Sequence, residues 1–195
     1  MTDVEKVVAV LRGGGVVLLP TDTVYGLAVA PEAGDEPLKR LFAMKQRPLS
    51  RNLPIMVADA EQARALGAEV TQAARRLLAA FAPGPLTVAL GLTGPAPRWL
   101  AGRDEIAVRI PADAFLLDVL RAAGPLLVTS ANLHGRQTPE TLPEVLDQLD
   151  GEPDLAVDGG PRQTVPSTLV NCNLPTPVVE RAGAVPAERI AAVLT

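Results

Sequence analysis

Lys45, Arg47 and Arg51 lie together in "KQRPLSRN", residues 45–52. Pro48 disfavours the α region for Arg47, so a helix running into this stretch should end near Lys45 and leave Lys45 and Arg47 on extended backbone. At a spacing of two they then point to the same side, where two cations repel unless water or an anion neutralises them. Two readings stay open. A helix C-terminus attracts positive charge for ~0.3–1 kcal/mol. Alternatively the pair is a polyphosphate clamp, with Arg47 giving a planar fork and Lys45 a point charge, both at a solvated ligand site.

Two more polar clusters interrupt aliphatic runs. "PTDT" follows "VVLL", and "TSAN" follows "LLV". In open α/β sheets ligands bind beyond the carboxyl ends of strands, which gives both clusters a functional reading. Each also has a local one. Thr21, Asp22 and Thr23 can close a turn on their own backbone, and Ser130 or Asn132 can cap a following turn. Tyr25, the single tyrosine, tilts the first cluster away from a mere turn.

Composition removes several chemistries. Cys172 is the single cysteine and His134 the single histidine. That excludes a disulfide framework, a Cys/His zinc site and a Cys–His nucleophile pair, and it implies a reducing, cytoplasmic setting. His134 follows "SANL" too closely for an ordinary Ser-His-Asp arrangement. The glycines of "RGGGVV" precede a strand, whereas phosphate-binding loops place them after one. A net charge of −4 argues against a protein devoted to gripping nucleic acid. No apolar run approaches the ~20 residues that span a bilayer, so no membrane association is expected.

These residues need elements to hold them. Thr2 or Asp3 caps a predicted helix to about Arg12, stopped by Gly13–Gly15, and "VVLLP" reads as a buried strand. "DEPLKRLFAMK" is a predicted helix and "LPIMVA" a strand, residues 59–81 hold one or two helices, and "PLTVALGL" and "EIAVRIP" are strands. "DAFLLDVLRAAG" is a helix, "PLLVTSAN" a strand, and "PETLPEVLDQLD" a helix with proline at its start. "DLAVDGG", "STLVN" and "PVVE" are short strands before a final helix, "PAERIAAVL". Strands alternating with helices predict one α/β domain over residues 1–195, a twisted mixed sheet with helices on both faces.

The ordered set "PTDTVYGL", "KQRPLSRNLPIMV", "PGPLTVAL", "AVRIP", "TSANLHGRQTP", "DGG" and "PSTLV…ERAGAV" resembles the YrdC-type threonylcarbamoyl-AMP synthases over residues 13–190, in the short form without the extra C-terminal domain. The resemblance implies a YrdC-like fold and a nucleotidyltransferase. It would condense L-threonine, bicarbonate and ATP, with Mg²⁺, into threonylcarbamoyl-adenylate and pyrophosphate. A partner threonylcarbamoyl transferase would then modify tRNA, with at most weak tRNA binding by this chain. By similarity, Thr23, Tyr25, Arg109 and Ser167 serve threonine, Arg109 pairing with its carboxylate and Tyr25 shaping the pocket. Lys45 and Arg47 meet the triphosphate and the bicarbonate-derived group. Arg51 or Asn52, Ser130, Asn132, Thr138 and Arg181 complete the ATP site, and the Mg²⁺ ligands are unassigned. Two positions depart from the family pattern: Asn171 stands where an acid is frequent, and Ala182 where proline is.

Two other classes compete. A concave cationic site could take an RNA backbone, as in a ribosome-associated module, and would then bind with steep salt dependence and indifference to ATP. A related enzyme could form an adenylate from carbamoyl phosphate instead.

Overall fold

Helix α1 (Asp3–Arg12) starts where a capping box closes it: the Glu5 amide donates to Thr2 Oγ1 at 3.2 Å, and the Thr2 amide donates to Glu5 Oε2 at 2.8 Å. The computed structural model describes residues 1–48 and 52–195. Strand β1 (Val17–Leu19) follows the glycines, and after the "PTDT" loop β2 (Gly26–Val29) returns antiparallel to it. Then come α2 (Asp35–Met44), β3 (Ile55–Met56), α3 (Ala60–Ala65), α4 (Gln72–Phe81), β4 (Leu86–Gly91) and β5 (Glu105–Arg109). The chain continues through α5 (Ala114–Ala123), β6 (Leu126–Ser130), α6 (Leu142–Gln148), β7 (Leu155–Ala156), β8 (Thr168–Asn171), β9 (Val178–Arg181) and α7 (Ala187–Leu194).

The strands form one mixed sheet in the order β7-β1-β2-β6-β3-β5-β4-β8-β9. Parallel pairing joins β1 to β7, β3 to β5 and β4 to β8, and the other neighbours are antiparallel. The expected α/β domain is therefore present, with helices on both faces. Strand β2 is the element that the sequence reading passed over; its four residues lie beyond the polar "PTDT" loop and fall in no predicted element.

Coverage of the two faces is unequal, and that inequality makes the site. One face packs Leu18, Leu27, Ile55, Val88, Val108 and Val170 against apolar residues of α2, α3, α4, α6 and α7. On the other, α1 and α5 cover β7, β1, β2, β6 and β3, through Val7, Leu11, Leu116, Val119 and Leu120. Register shows what lies beyond. Met56, in that second core, pairs with Arg109; Ala107 pairs with Ala89, and Thr87 with Leu169. Paired residues share a face and alternate residues repeat it, so Glu105, Ala107, Arg109, Thr87 and Leu169 stand on the half of this face beyond the helices.

Candidate functional site

A cavity of about 670 Å³ occupies that half-face. Glu105, Ala107, Arg109, Thr87 and Leu169 form its floor, and the ends of β1 and β6 bring Thr21, Thr23, Thr129 and Ser130 to its wall. The site thus lies across a sheet face as well as at strand ends.

Arg109 is its deepest cation, 4% exposed. Its Nε donates to the Gly84 carbonyl at 3.1 Å, one terminal nitrogen to Thr23 Oγ1 at 3.0 Å, and the other to Asp22 Oδ1 at 2.7 Å. Burial holds its pKa below the usual arginine value, and the Asp22 carboxylate offsets part of that effect. The "PTDT" loop is itself braced: Thr21 Oγ1 donates to the Val24 carbonyl at 2.7 Å and accepts from the Thr23 amide at 3.0 Å. The turn thus bonds its own backbone, as the local reading has it, and it also presents Thr21 and Thr23 to the cavity.

Ser167, just ahead of β8, joins two walls. Its Oγ lies 2.8 Å from Thr87 Oγ1 and accepts from Arg181 at 3.0 Å. Arg181 also donates to the Ser167 carbonyl from Nε at 3.2 Å and from a terminal nitrogen at 2.9 Å. Burial, and then the charge of Arg109, act against the charge of Arg181.

The "KQRP" segment departs from expectation. Lys45 caps α2 in helical conformation and Gln46 takes φ 49°, so the two cations do not share an extended segment. The Gln46 amide bonds the Ala43 carbonyl at 2.9 Å and the Arg47 amide bonds the Phe42 carbonyl at 3.0 Å, the Schellman closure of a helix. Pro48 restrains Arg47 alone; the left-handed turn one residue earlier was invisible to that rule. Lys45 is also buried, 2% exposed, rather than at a solvated site. Its ammonium donates to the carbonyls of Ser130 and Asn132 and, at 3.4 Å, to Asn132 Oδ1. Burial, then the charge of Arg47, pushes its pKa down to about 7. Arg47 is half-buried, lines the cavity, donates to Thr129 Oγ1 at 3.1 Å and stacks 5.6 Å from the Phe42 ring centre.

Of the sequence-predicted residues, Thr23, Tyr25, Arg47, Asn52, Arg109, Ser130, Ser167 and Arg181 line one cavity. Lys45, Asn132 and Thr138 stand behind its wall. There Asn132 donates to the carbonyls of Leu133 and Arg136, each at 2.7 Å, and accepts from Thr138 Oγ1 at 3.2 Å, knitting the "TSAN" turn. Arg51 lies outside the described residues. The Tyr25 hydroxyl points elsewhere: it donates to the Gly160 carbonyl at 2.7 Å and accepts from the Gly159 amide at 3.1 Å. It thereby fastens the segment that leaves β7 at one sheet edge and delivers Pro166 and Ser167 to the cavity.

Sequence reasoning missed Asp22 as the partner of Arg109, and missed Glu105, Glu180 and Arg103, which also line the cavity. Stepping by two from Arg109 along its strand would have reached Ala107 and Glu105. Glu180 had no such signal, because Asn171 joins it to Glu105: Asn171 Nδ2 donates to Glu180 Oε1 at 2.8 Å and to Glu105 Oε2 at 3.2 Å. Among the described residues no three His, Cys, Asp or Glu side chains form a metal cage. No described helix is long and apolar enough to cross a membrane.

Comparison with known proteins gives consistent matches. Residues 9–183 match the family of Sua5, YciO and YrdC, described as "Telomere recombination". A Bacillus subtilis threonylcarbamoyl-AMP synthase is 35% identical over 195 residues, 98% of this chain and 56% of that protein. Pyrococcus abyssi Sua5, solved in complex with L-threonine, superposes with a TM-score of 0.88 at 33% identity over 98% of this chain and 57% of its own. E. coli YciO superposes with a TM-score of 0.85 at 30% identity, covering 96% of this chain and 92% of its own. The chain thus spans little more than half the length of the B. subtilis and P. abyssi proteins.

Proposed function

The chain belongs to the Sua5–YciO–YrdC family, and from that premise we propose that residues 1–195 act as one YrdC-like domain with threonylcarbamoyl-AMP synthase activity. The observation that carries this reading is the convergence of Arg47, Arg109 and Arg181 with the hydroxyl groups of Thr23 and Ser167 on one cavity. Those cations and hydroxyls suit two anionic substrates, an amino acid and a nucleotide triphosphate.

In this reading Arg109 takes the threonine carboxylate, with Thr23 and Ser167 alongside, while Arg47, Asn52, Ser130 and Arg181 face the nucleotide. Threonine and bicarbonate give N-carboxythreonine with loss of water. One carbamate oxygen then attacks the α-phosphorus of ATP, the bond to the β-phosphate oxygen breaks, and pyrophosphate leaves with the displaced electron pair. No protein nucleophile is needed. Alignment of two anions and cationic stabilisation of the departing pyrophosphate accomplish the step. Lys45, Asn132 and Thr138 contribute by fixing the turn that presents Ser130. Tyr25 shapes the pocket by holding the segment that carries Ser167.

Mg²⁺ fits as a nucleotide-borne ion, since it binds through one or two carboxylates plus phosphates and waters rather than in a protein cage. Glu105 and Glu180 are the cavity carboxylates available to it. Bound there, it would neutralise phosphate charge. The product would pass to a threonylcarbamoyl transferase acting on tRNA, in the cytoplasm.

The decisive experiment is pyrophosphate release from ATP and Mg²⁺, with L-threonine and bicarbonate omitted in turn. Release that requires both, with a product of threonylcarbamoyl-adenylate mass, supports the reading. Release driven by carbamoyl phosphate, or none from folded protein, overturns it.

A further inference from the structure

We propose that Asp22 is the positioning residue of Arg109, setting the orientation in which that guanidinium receives a ligand carboxylate. The inference rests on the synthase reading for the identity of the ligand, threonine, but not for the geometry.

The ion pair is buried on both sides, Arg109 at 4% and Asp22 at 12% side-chain exposure, with 2.7 Å between the charged atoms. It is poorly built for stability. Asp22 Oδ2 is buried without a hydrogen-bond partner, so one carboxylate oxygen bears its desolvation unrelieved. A half-satisfied buried pair stabilises less than apolar packing of similar volume would, and it calls for a reason in what it does to its partner.

That effect can be read donor by donor. A guanidinium carries five N–H groups. Gly84 takes the one on Nε, Thr23 takes one on the first terminal nitrogen, and Asp22 takes one on the second. One N–H on each terminal nitrogen is left to donate to a ligand oxygen. Asp22 is the charged member of the three anchors, and the one that works against the burial that disfavours the charge of Arg109. It sits between Thr21 and Thr23, whose mutual bonds hold the turn, so the carboxylate is presented from a fixed backbone. Asp22 is not among the cavity-lining residues and acts through Arg109.

The test compares wild type with Asp22→Ala, Asp22→Asn and Asp22→Glu on two readouts. The first is the ¹⁵N–¹H resonance of Arg109 Nε, assigned by its loss in Arg109→Lys and followed without substrates. The second is L-threonine affinity by calorimetry together with KM and kcat for pyrophosphate release. We expect Asp22→Ala to broaden or shift the Arg109 resonance and to weaken threonine binding at least tenfold. Its kcat should fall by less than its threonine KM rises, with the KM for ATP unchanged. Asp22→Asn, which keeps an acceptor oxygen but no charge, should lie between. If Asp22→Ala fails to fold, Asp22→Asn and Asp22→Glu carry the same comparison. An unmoved Arg109 resonance, or threonine affinity equal to wild type, overturns the proposal. Wild-type protein that binds no threonine overturns the synthase reading instead, and the resonance alone then decides the role of Asp22.

Discussion

Arg109 and Arg181 stand near enough for the charge of one to act on the other, yet they are met differently. Asp22 lies 2.7 Å from Arg109, whereas Arg181 donates to the neutral carbonyl and hydroxyl oxygens of Ser167. At this corner of the cavity Arg181 thus lacks the carboxylate partner that Arg109 has, and the proposed function assigns a nucleotide phosphate to it. A hydrogen bond to a charged group contributes about 1.5–3 kcal/mol, and each 1.4 kcal/mol is roughly tenfold in affinity. Arg181→Gln should accordingly raise the KM for ATP about tenfold to a hundredfold, with the KM for threonine within about threefold of wild type. Steady-state kinetics with each substrate varied in turn checks this, and an unaltered ATP dependence would remove Arg181 from the nucleotide site.

Arg109→Lys separates charge from geometry. Lysine keeps the cation but loses the planar fork, and it cannot satisfy Gly84, Thr23 and Asp22 together. The expected result is a threonine KM raised about tenfold or more, from the loss of a charged hydrogen bond, with ATP dependence little changed. A threonine KM equal to wild type in a folded variant would show that the carboxylate docks elsewhere.

Lys45 yields a pH signature with two opposite signs. Its folded pKa, about 7, lies below the ordinary lysine value of 10.5. Between those values the unfolded chain binds the extra proton, so stability from this group rises with pH from about 7 upward. Function should move the other way. The ammonium has three donors and bonds three oxygens of the "TSAN" turn, so deprotonation above about 7 removes a donor and slackens the wall that carries Ser130. Melting temperature and kcat measured across pH 6–9 should thus diverge in wild type relative to Lys45→Met, which abolishes both trends. Parallel curves for the two proteins would sink the assignment.

What the sequence disclosed was whatever local chemistry controls. Capping at Thr2, the glycine stop after Arg12 and the helices beginning near Asp35 and Asp113 follow from short-range rules, and their start positions agree with the structure. Of the eight candidate residues that share one cavity, Thr23, Tyr25, Arg47 and Ser130 stand out by residue type beside predicted elements, whereas Asn52, Arg109, Ser167 and Arg181 were reached only through the family resemblance. Three features lay beyond such rules. The left-handed Gln46 depends on docking of α2 against the 130–134 turn, where the His134 amide bonds the Lys45 carbonyl at 2.8 Å. Burial of Lys45 depends on carbonyls 85 and 87 residues away. The Asp22–Arg109 pair joins a loop to a strand end across 87 positions, and nothing local at Asp22 distinguishes a turn residue from a counterion.

Tyr25→Phe decides whether the single tyrosine touches substrate or only braces the site. Its ring is fully buried, while its hydroxyl serves Gly159 and Gly160 rather than the cavity. Removing the hydroxyl leaves the Gly159 amide and the Gly160 carbonyl to find other partners, a loss of about 1–3 kcal/mol where they are desolvated. In a domain of this size each kcal/mol corresponds to roughly 2–4 °C. We therefore expect a melting temperature lowered by about 2–12 °C, with the KM for threonine and for ATP within about threefold of wild type well below the transition. A variant as stable as wild type whose threonine KM has risen more than tenfold would mean that the hydroxyl turns toward the ligand, and that its bonds to residues 159 and 160 do not persist in the working enzyme.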